Sequence, residues 1–233
     1  MLARTSSTMD EVWARAAAAE EGLVVLAEEQ TGGRGRFQRP WLSPPGGSLM
    51  LSVLIRPPAP VLPLLPMLLA LAAADAIEHV TGLPVRLKWP NDLLLAGLKT
   101  GGILVESRLS GDRATAVGGV GINVNFDPRR VPGIPEQATS LSRAAGRPIE
   151  RRVLLNALLE RLDAHYDRLL AGHTLVPAWR ERLETLGQSV EIRAGGRVTR
   201  GRAVEVDQLG RLLVQLPNGE IEAFAAGEVT LQV

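Results

Sequence analysis

Apolar residues fall in two rhythms along this chain, one repeating every three to four residues and one in short, nearly continuous runs. The first rhythm predicts helices over residues 9–20, 64–80, 150–171 and 176–186. Thr8-Met-Asp-Glu11 is a capping-box pattern for the first of them, and Gly22, Gly82 and Gly187 are stop signals after the first, second and fourth. The third places Leu154, Leu155, Leu158, Leu159 and Leu162 on one face. The second rhythm predicts strands over residues 23–27, 48–55, 85–89, 92–96, 102–108 and 113–120. The later ones are separated by Pro90-Asn91, Gly97 and Gly111-Asp112, spacing that suits antiparallel hairpins in a central sheet. Two Gly/Pro-rich loops, residues 29–47 and 127–135, interrupt the pattern.

After Gly187 the helical rhythm stops. Five short strands are predicted, over residues 189–192, 197–206, 212–216, 220–224 and 229–233, with turns at Gly195-Gly196, Leu209-Gly210 and Asn218-Gly219. The chain therefore divides into an α/β (α+β) domain over residues 1–186, with a mixed central sheet flanked by helices, and a small β-barrel over residues 187–233. The most apolar stretch, residues 59–74, carries Pro60, Pro63 and Pro66 and is shorter than the roughly 20 residues of a bilayer span. It reads as a buried helix, with no membrane association. No secretory signal opens the sequence, so a cytoplasmic protein is expected.

Composition narrows the chemistry. The 233 residues include no cysteine, which excludes disulfides, thiolate nucleophiles and Cys-based metal sites. Lys plus Arg number 26 against 25 Asp plus Glu, so any basic site is local. Aromatics at 3% are too sparse for a base-stacking platform. The barrel carries five Arg and six acidic residues, so its Arg-Val-Thr-Arg-Gly-Arg run reads as a solvated face. The three histidines are dispersed, and neither a dinucleotide fingerprint nor a Walker A loop is complete.

Three stretches remain. Gly32–Trp41 holds three Arg and three Gly with no acidic residue among them, a sequence that can bring backbone N–H groups and guanidinium forks to an anion. A mobile surface loop or a nucleic-acid contact is the bland alternative. Lys88-Trp-Pro-Asn-Asp92, followed by Lys99-Thr-Gly-Gly102, offers Asp92 as a carboxylate suited to Mg2+ beside phosphate oxygens, and Lys99 as a cation returning toward the same place. A plain β-turn and a surface lysine are the alternatives there. Gly118-Gly-Val-Gly-Ile-Asn-Val-Asn125 is an apolar strand whose glycines permit close backbone approach. A cationic, glycine-lined site with one or two metal carboxylates suits joining a carboxylate to a nucleotide phosphate.

Taken together, the stretches resemble the biotin protein ligase family. Gly33-Arg-Gly-Arg-Phe-Gln-Arg-Pro-Trp41 resembles its adenylate loop, Lys88–Asp92 its Lys-Trp-Pro-Asn-Asp motif, Lys99–Gly102 its Lys-x-x-Gly, Gly119–Asn123 its Gly-x-Gly-Ile-Asn segment, and Ser7-Thr8 its N-terminal pair. The resemblance implies a class II aminoacyl-tRNA synthetase-like core followed by an SH3-like barrel. It also implies an ATP- and Mg2+-dependent enzyme that makes biotinoyl-AMP and then transfers biotin to a lysine of a biotin carboxyl carrier domain of acetyl-CoA carboxylase. By the same resemblance, Ser7, Thr8 and Gln30 hold biotin's ureido end, with Gly119 behind the ring and Gly35 and Gly102 beside it. Arg34 and Arg36 meet the carboxylate and phosphates, and Lys99 steadies the reacting oxygens. Arg39, Trp41, Asn91 and Asn123 serve the nucleotide, with Trp41 against adenine. Asp92 either sits at the metal or accepts a proton from the incoming amine.

Two positions depart from the family pattern: Gln38 stands where Gly is usual, and Met9 where a polar residue is frequent. The core begins within the first ten residues, so a form without the DNA-binding domain of some relatives, and without specific DNA binding, is expected. A homodimer is left open. Two rivals are a lipoate or octanoate ligase of the same fold, and a non-enzymatic biotin-sensing transcriptional regulator.

Overall fold

Twelve strands and five helices make up the described residues, 1–110 and 113–231, of the computed structural model. The turn expected at Gly111-Asp112 and the last two residues of the final predicted strand lie outside them. Seven strands form one mixed sheet: β1 (Leu2–Thr5), β2 (Val24–Gln30), β3 (Ser48–Ile55), β4 (Arg86–Lys88), β5 (Asp92–Leu95), β6 (Leu98–Ser110) and β7 (Arg113–Asn123). Their order is β1-β2-β3-β7-β6-β5-β4, with β1 parallel to β2 and every other pair antiparallel. β1 was not foreseen; its four residues carry too little alternation to read as a strand.

α2 (Leu65–Thr81) and α4 (Arg151–Leu170) cover one face of this sheet. With the preceding 3-10 turn, α2 makes a 23-residue segment, with mean hydropathy 1.9 over its most apolar 18 residues, long and apolar enough to cross a bilayer by composition, which corrects the shorter segment read from sequence. In the fold it is core: Leu68, Leu69, Ala72, Ala73 and Ile77 are wholly buried. α1 (Thr8–Arg15) packs on the opposite face, closing a smaller cluster of Met9, Val12, Ala16, Val25, Leu54 and Val117. It is shorter than the predicted helix because the Arg56 guanidinium bonds the Ala16 carbonyl at 2.6 Å, after which the alanines continue as turns. The unforeseen α3 (Leu141–Ala145) is capped by Ser140 and closed by left-handed Gly146. α5 (Val176–Arg182) ends four residues before its prediction because Leu183 pairs with Leu87 and extends the sheet edge.

The remaining strands, β8 (Ser189–Ala194), β9 (Arg197–Val206), β10 (Leu212–Gln215), β11 (Ile221–Phe224) and β12 (Glu228–Leu231), form a second, antiparallel sheet in the order β11-β10-β9-β8-β12. Trp89 ties the two parts together. Its backbone N–H donates to Thr185 Oγ1 at 2.9 Å and its indole N–H to the Gly210 carbonyl at 3.0 Å.

The two glycines after Lys99-Thr100 do different work. Gly102 faces a cavity, whereas a Cβ on Gly101 would stand 2.8 Å from the Gly121 carbonyl oxygen and 2.8 Å from Leu93 Cδ1. The carbonyl belongs to the neighbouring strand and cannot rotate away. Gly101→Ala should therefore cost about 1–3 kcal/mol, read as a lower denaturant midpoint at unchanged slope. An unchanged midpoint would show that β6 and β7 can part at no cost.

Candidate active site

Strand alternation divides side chains between core and cavity. On β3, Leu49, Leu51, Val53 and Ile55 enter the main core, while the side chains of Met50 and Ser52 point the other way. On β7, Ala116, Val120 and Ile122 enter the core, and Gly119, Gly121 and Asn123 line the cavity. The cavity measures about 300 Å³, and all fourteen residues singled out from sequence line it. Four segments far apart in the chain thus share one space.

One side of that space is neutral. Gln30, at the end of β2, accepts two bonds from Thr8: from its backbone N–H at 2.7 Å and its hydroxyl at 3.0 Å. Ser7 is buried at the N-cap of α1, yet its side chain makes no capping bond. Met9, the departure from the family pattern, packs its sulfur where a Gly119 Cβ would stand, 3.1 Å away. Glycine at 119 is what lets α1 close on the sheet and still leave room beside it.

The other side is cationic. The Trp41 N–H donates to the Gly33 carbonyl (2.9 Å) and the Gly35 N–H to the Arg39 carbonyl (2.8 Å), folding residues 33–41 back on themselves. A Cβ on Gly33 would stand 2.8 Å from the Trp41 carbonyl oxygen, so this turn needs glycine. No acid lies in the loop's own sequence; the fold brings acids to it from elsewhere. Arg34 pairs with Asp10 of α1 at 2.8 Å and Glu106 of β6 at 3.1 Å. The bond from Asp10 and the charge of Glu106 raise its pKa further. Glu106 is itself held by the Trp13 indole N–H at 2.9 Å. Arg39 pairs with Glu228 at 2.5 Å. Arg36 donates to the Gly227 carbonyl at 3.0 Å and pairs with no carboxylate among the described residues. Burial pulls its pKa below the usual guanidinium value, against the charges of Asp92 and Glu228. Among the three, Arg36 is the one whose charge is least answered.

The hairpin from β5 to β6 supplies the rest. Lys99 Nζ lies 2.5 Å from Asp92 Oδ1. Asn91 donates one amide N–H to the Ile103 carbonyl (2.7 Å) and Asn123 one to the Thr139 carbonyl (3.0 Å), which fixes both side chains and leaves each a second N–H and its oxygen. The Trp41 ring lies over Gly121, where a Cβ would come within 2.8 Å of it, and its indole N–H is buried without a partner. Among the described residues no cluster of three or more His, Asp or Glu could hold a metal ion. Asp92 alone suits a Mg2+ ion that arrives already coordinated by phosphates.

With this geometry in hand, the family can be stated. The model of the biotin/lipoate A/B protein ligase family matches residues 1–123, and that of the biotin protein ligase C terminal domain matches residues 185–231. The chain belongs to this family. It is similar to the biotin–[acetyl-CoA-carboxylase] ligase of Paracoccus denitrificans, 35% identical over 98% of each chain. It is 36% identical to the bifunctional ligase/repressor BirA of Bacillus subtilis, matching over 89% of this chain and spanning 66% of that longer protein. A biotin protein ligase from Aquifex aeolicus solved with biotin and ATP superposes with a TM-score of 0.83 at 30% identity, covering 99% of this chain and 97% of that one.

As a family member the chain shows what its departures do. Gln38 has φ 58° and Phe37 φ 55°, so two consecutive non-glycine residues sit in the left-handed region. Glycine would adopt it freely; a side chain there costs on the order of 1 kcal/mol. Sequence reasoning missed Gly227, Glu228 and Val229, which line the cavity from the second sheet, and Met50 and Ser52 on β3. Nothing local to Glu228 signals its partner 189 positions away, so the contact was not readable.

The Arg39–Glu228 pair ties the loop to the second sheet and predicts a simple outcome. Glu228→Ala should speed limited tryptic cleavage after Arg36 by roughly two- to fivefold, as suits a partly exposed ion pair. Equal rates would mean that the pair does not hold the loop.

Proposed function

We propose that this chain is an ATP-dependent biotin protein ligase acting on a biotin carboxyl carrier domain, such as that of acetyl-CoA carboxylase. The observation that carries this reading is the convergence of a neutral hydrogen-bonding cluster and a cationic cluster on one cavity. Biotin has the matching parts: a neutral ureido ring and a carboxylate that must meet a triphosphate. In the first step a biotin carboxylate oxygen attacks the α-phosphorus of ATP, and pyrophosphate leaves. In the second, a carrier lysine amine attacks the anhydride carbonyl, gives up a proton, and AMP leaves.

The residues would divide the work as follows. Ser7, Thr8 and Gln30 hold the ring beside Gly35, Gly102 and Gly119. Lys99 and Arg36 stabilise the oxygens at the carboxylate–phosphate junction, which requires Lys99 to leave Asp92. Trp41, Arg39, Asn91 and Asn123 serve the nucleotide, the asparagines through their side-chain oxygens and remaining N–H groups. Arg34, held by two carboxylates, braces the loop and has less capacity left for the ligand than the motif implied. Asp92, released by Lys99, either faces a nucleotide-borne Mg2+ ion, which would neutralise phosphate charge, or takes the proton from the incoming amine. The two sheets support a division into a catalytic unit over residues 1–186, of class II synthetase-like form, and an SH3-like unit over residues 187–233. Arg197 and Arg200 are answered by Glu222 at 2.6 Å and Glu191 at 2.8 Å, which supports reading that unit as no grip for DNA.

Pyrophosphate exchange into ATP tests the reading. Biotin should support exchange, and lipoate and octanoate should not; exchange driven as well by either rival acid would overturn it. Lys99→Ala should slow single-turnover adenylate formation by about 10²–10³-fold, the usual loss when one preorganised donor is removed. A wild-type rate in that variant would take Lys99 out of the chemistry. Gly121→Ala, which presses a Cβ into the Trp41 ring, should raise the KM for ATP by about tenfold and leave that for biotin unchanged. A rise for biotin instead would place Trp41 at the ring.

A further inference from the structure

Ser52 lies mid-strand on β3, wholly buried, at a position where the pattern of the strand would accept any small residue. A buried hydroxyl is costly unless bonded, and among the described residues its partner is the Thr8 hydroxyl at 2.8 Å. The direction of that bond follows from its neighbours. The Thr8 backbone N–H can only donate, so the Gln30 atom it meets at 2.7 Å is the oxygen Oε1. That oxygen can only accept, so the Thr8 hydroxyl, 3.0 Å away, directs its single proton there. Thr8 Oγ1 is left as an acceptor, and Ser52 must donate to it. The chain therefore runs one way, from Ser52 through Thr8 to Gln30.

This polarity fixes which end of the Gln30 amide is free. Its oxygen is occupied twice, and its nitrogen faces Met50 Sδ at 3.3 Å, a weak acceptor that leaves N–H capacity for a ligand. We propose that Ser52 is a positioning residue for biotin recognition, acting through Thr8 to hold Gln30 with its amide N–H groups toward the ligand. Ser52 needs no contact with the ligand to do this; bonds in such a chain polarise and restrain one another. The inference rests on the biotin reading above and adds to it a residue that no motif contains.

Binding of biotin without ATP, measured by calorimetry, tests it in four proteins: wild type, Ser52→Ala, Thr8→Val and the double variant. Ser52→Ala should weaken binding about three- to tenfold, the scale of one net hydrogen bond. Its KM for ATP, its adenylation rate at saturating biotin and its Tm should stay near wild type, a split that a purely structural role would not give. In the Thr8→Val background, which lacks the receiving hydroxyl, Ser52→Ala should cost nothing further. Unchanged affinity in Ser52→Ala, an equal loss in both backgrounds, or a loss that comes with a lower Tm and a higher KM for ATP would each overturn the proposal while leaving the biotin reading intact. Failure of the wild-type protein to bind biotin would overturn both.

Discussion

The site depends on one constraint of sheet packing. A seven-stranded sheet with α2 and α4 on one face has a second face that must also be covered, and α1 is too short to cover it all. Beyond the N-terminal end of α1, Gly119 and Gly121 leave the floor of β7 without side chains, and Met9 and Trp41 settle on those two glycines. The cavity is the part of the face that neither helix nor side chain fills. Its roof is a loop of three arginines, and its far wall is the edge of the second sheet.

Such a roof would repel itself if its charges were unanswered. Each arginine is held by a different part of the molecule: Arg34 by Asp10 and Glu106, Arg39 by Glu228, and Arg36 by a backbone carbonyl at Gly227. Lys99 is answered by Asp92. The molecule thus keeps its cations in place with partners of graded strength. Arg36, bonded to a neutral carbonyl, is the charge most readily turned toward incoming anions; Lys99 and Arg39, each on one carboxylate, come next, and Arg34, on two, comes last. This ordering follows from geometry and agrees with the roles proposed for Arg34 in bracing and Arg36 in the chemistry.

Much of this was legible in the sequence. Glycines at 33, 119 and 121, arginines without local acids and the Lys99-Thr-Gly-Gly run all pointed to an anion site, and their order along the chain tied them to one family. β3 was placed at its true ends, because burial on both faces leaves a continuous signature, whereas β6 and β7 run beyond their apolar runs through the glycines at 101–102 and 121. The ends of α1 and α5 were misjudged because tertiary contacts, from Arg56 and from Leu87, stop helices that their own residues would continue. β1 and the wall at residues 227–229 were missed for a related reason: each is defined by a partner remote in sequence. The same holds for Ser52, whose role is visible only once Thr8 and Gln30 stand beside it.

The arginine loop and the edge of the second sheet wall one cavity and bond each other through Arg36–Gly227 and Arg39–Glu228, so a ligand bound there should touch both. Hydrogen exchange of backbone amides, followed while biotin and a non-hydrolysable ATP analogue are added together, tests it most directly. The account predicts that residues 33–41 and 227–229 gain protection together, at the same ligand concentration. Protection of the loop with no change at residues 227–229 would contradict it.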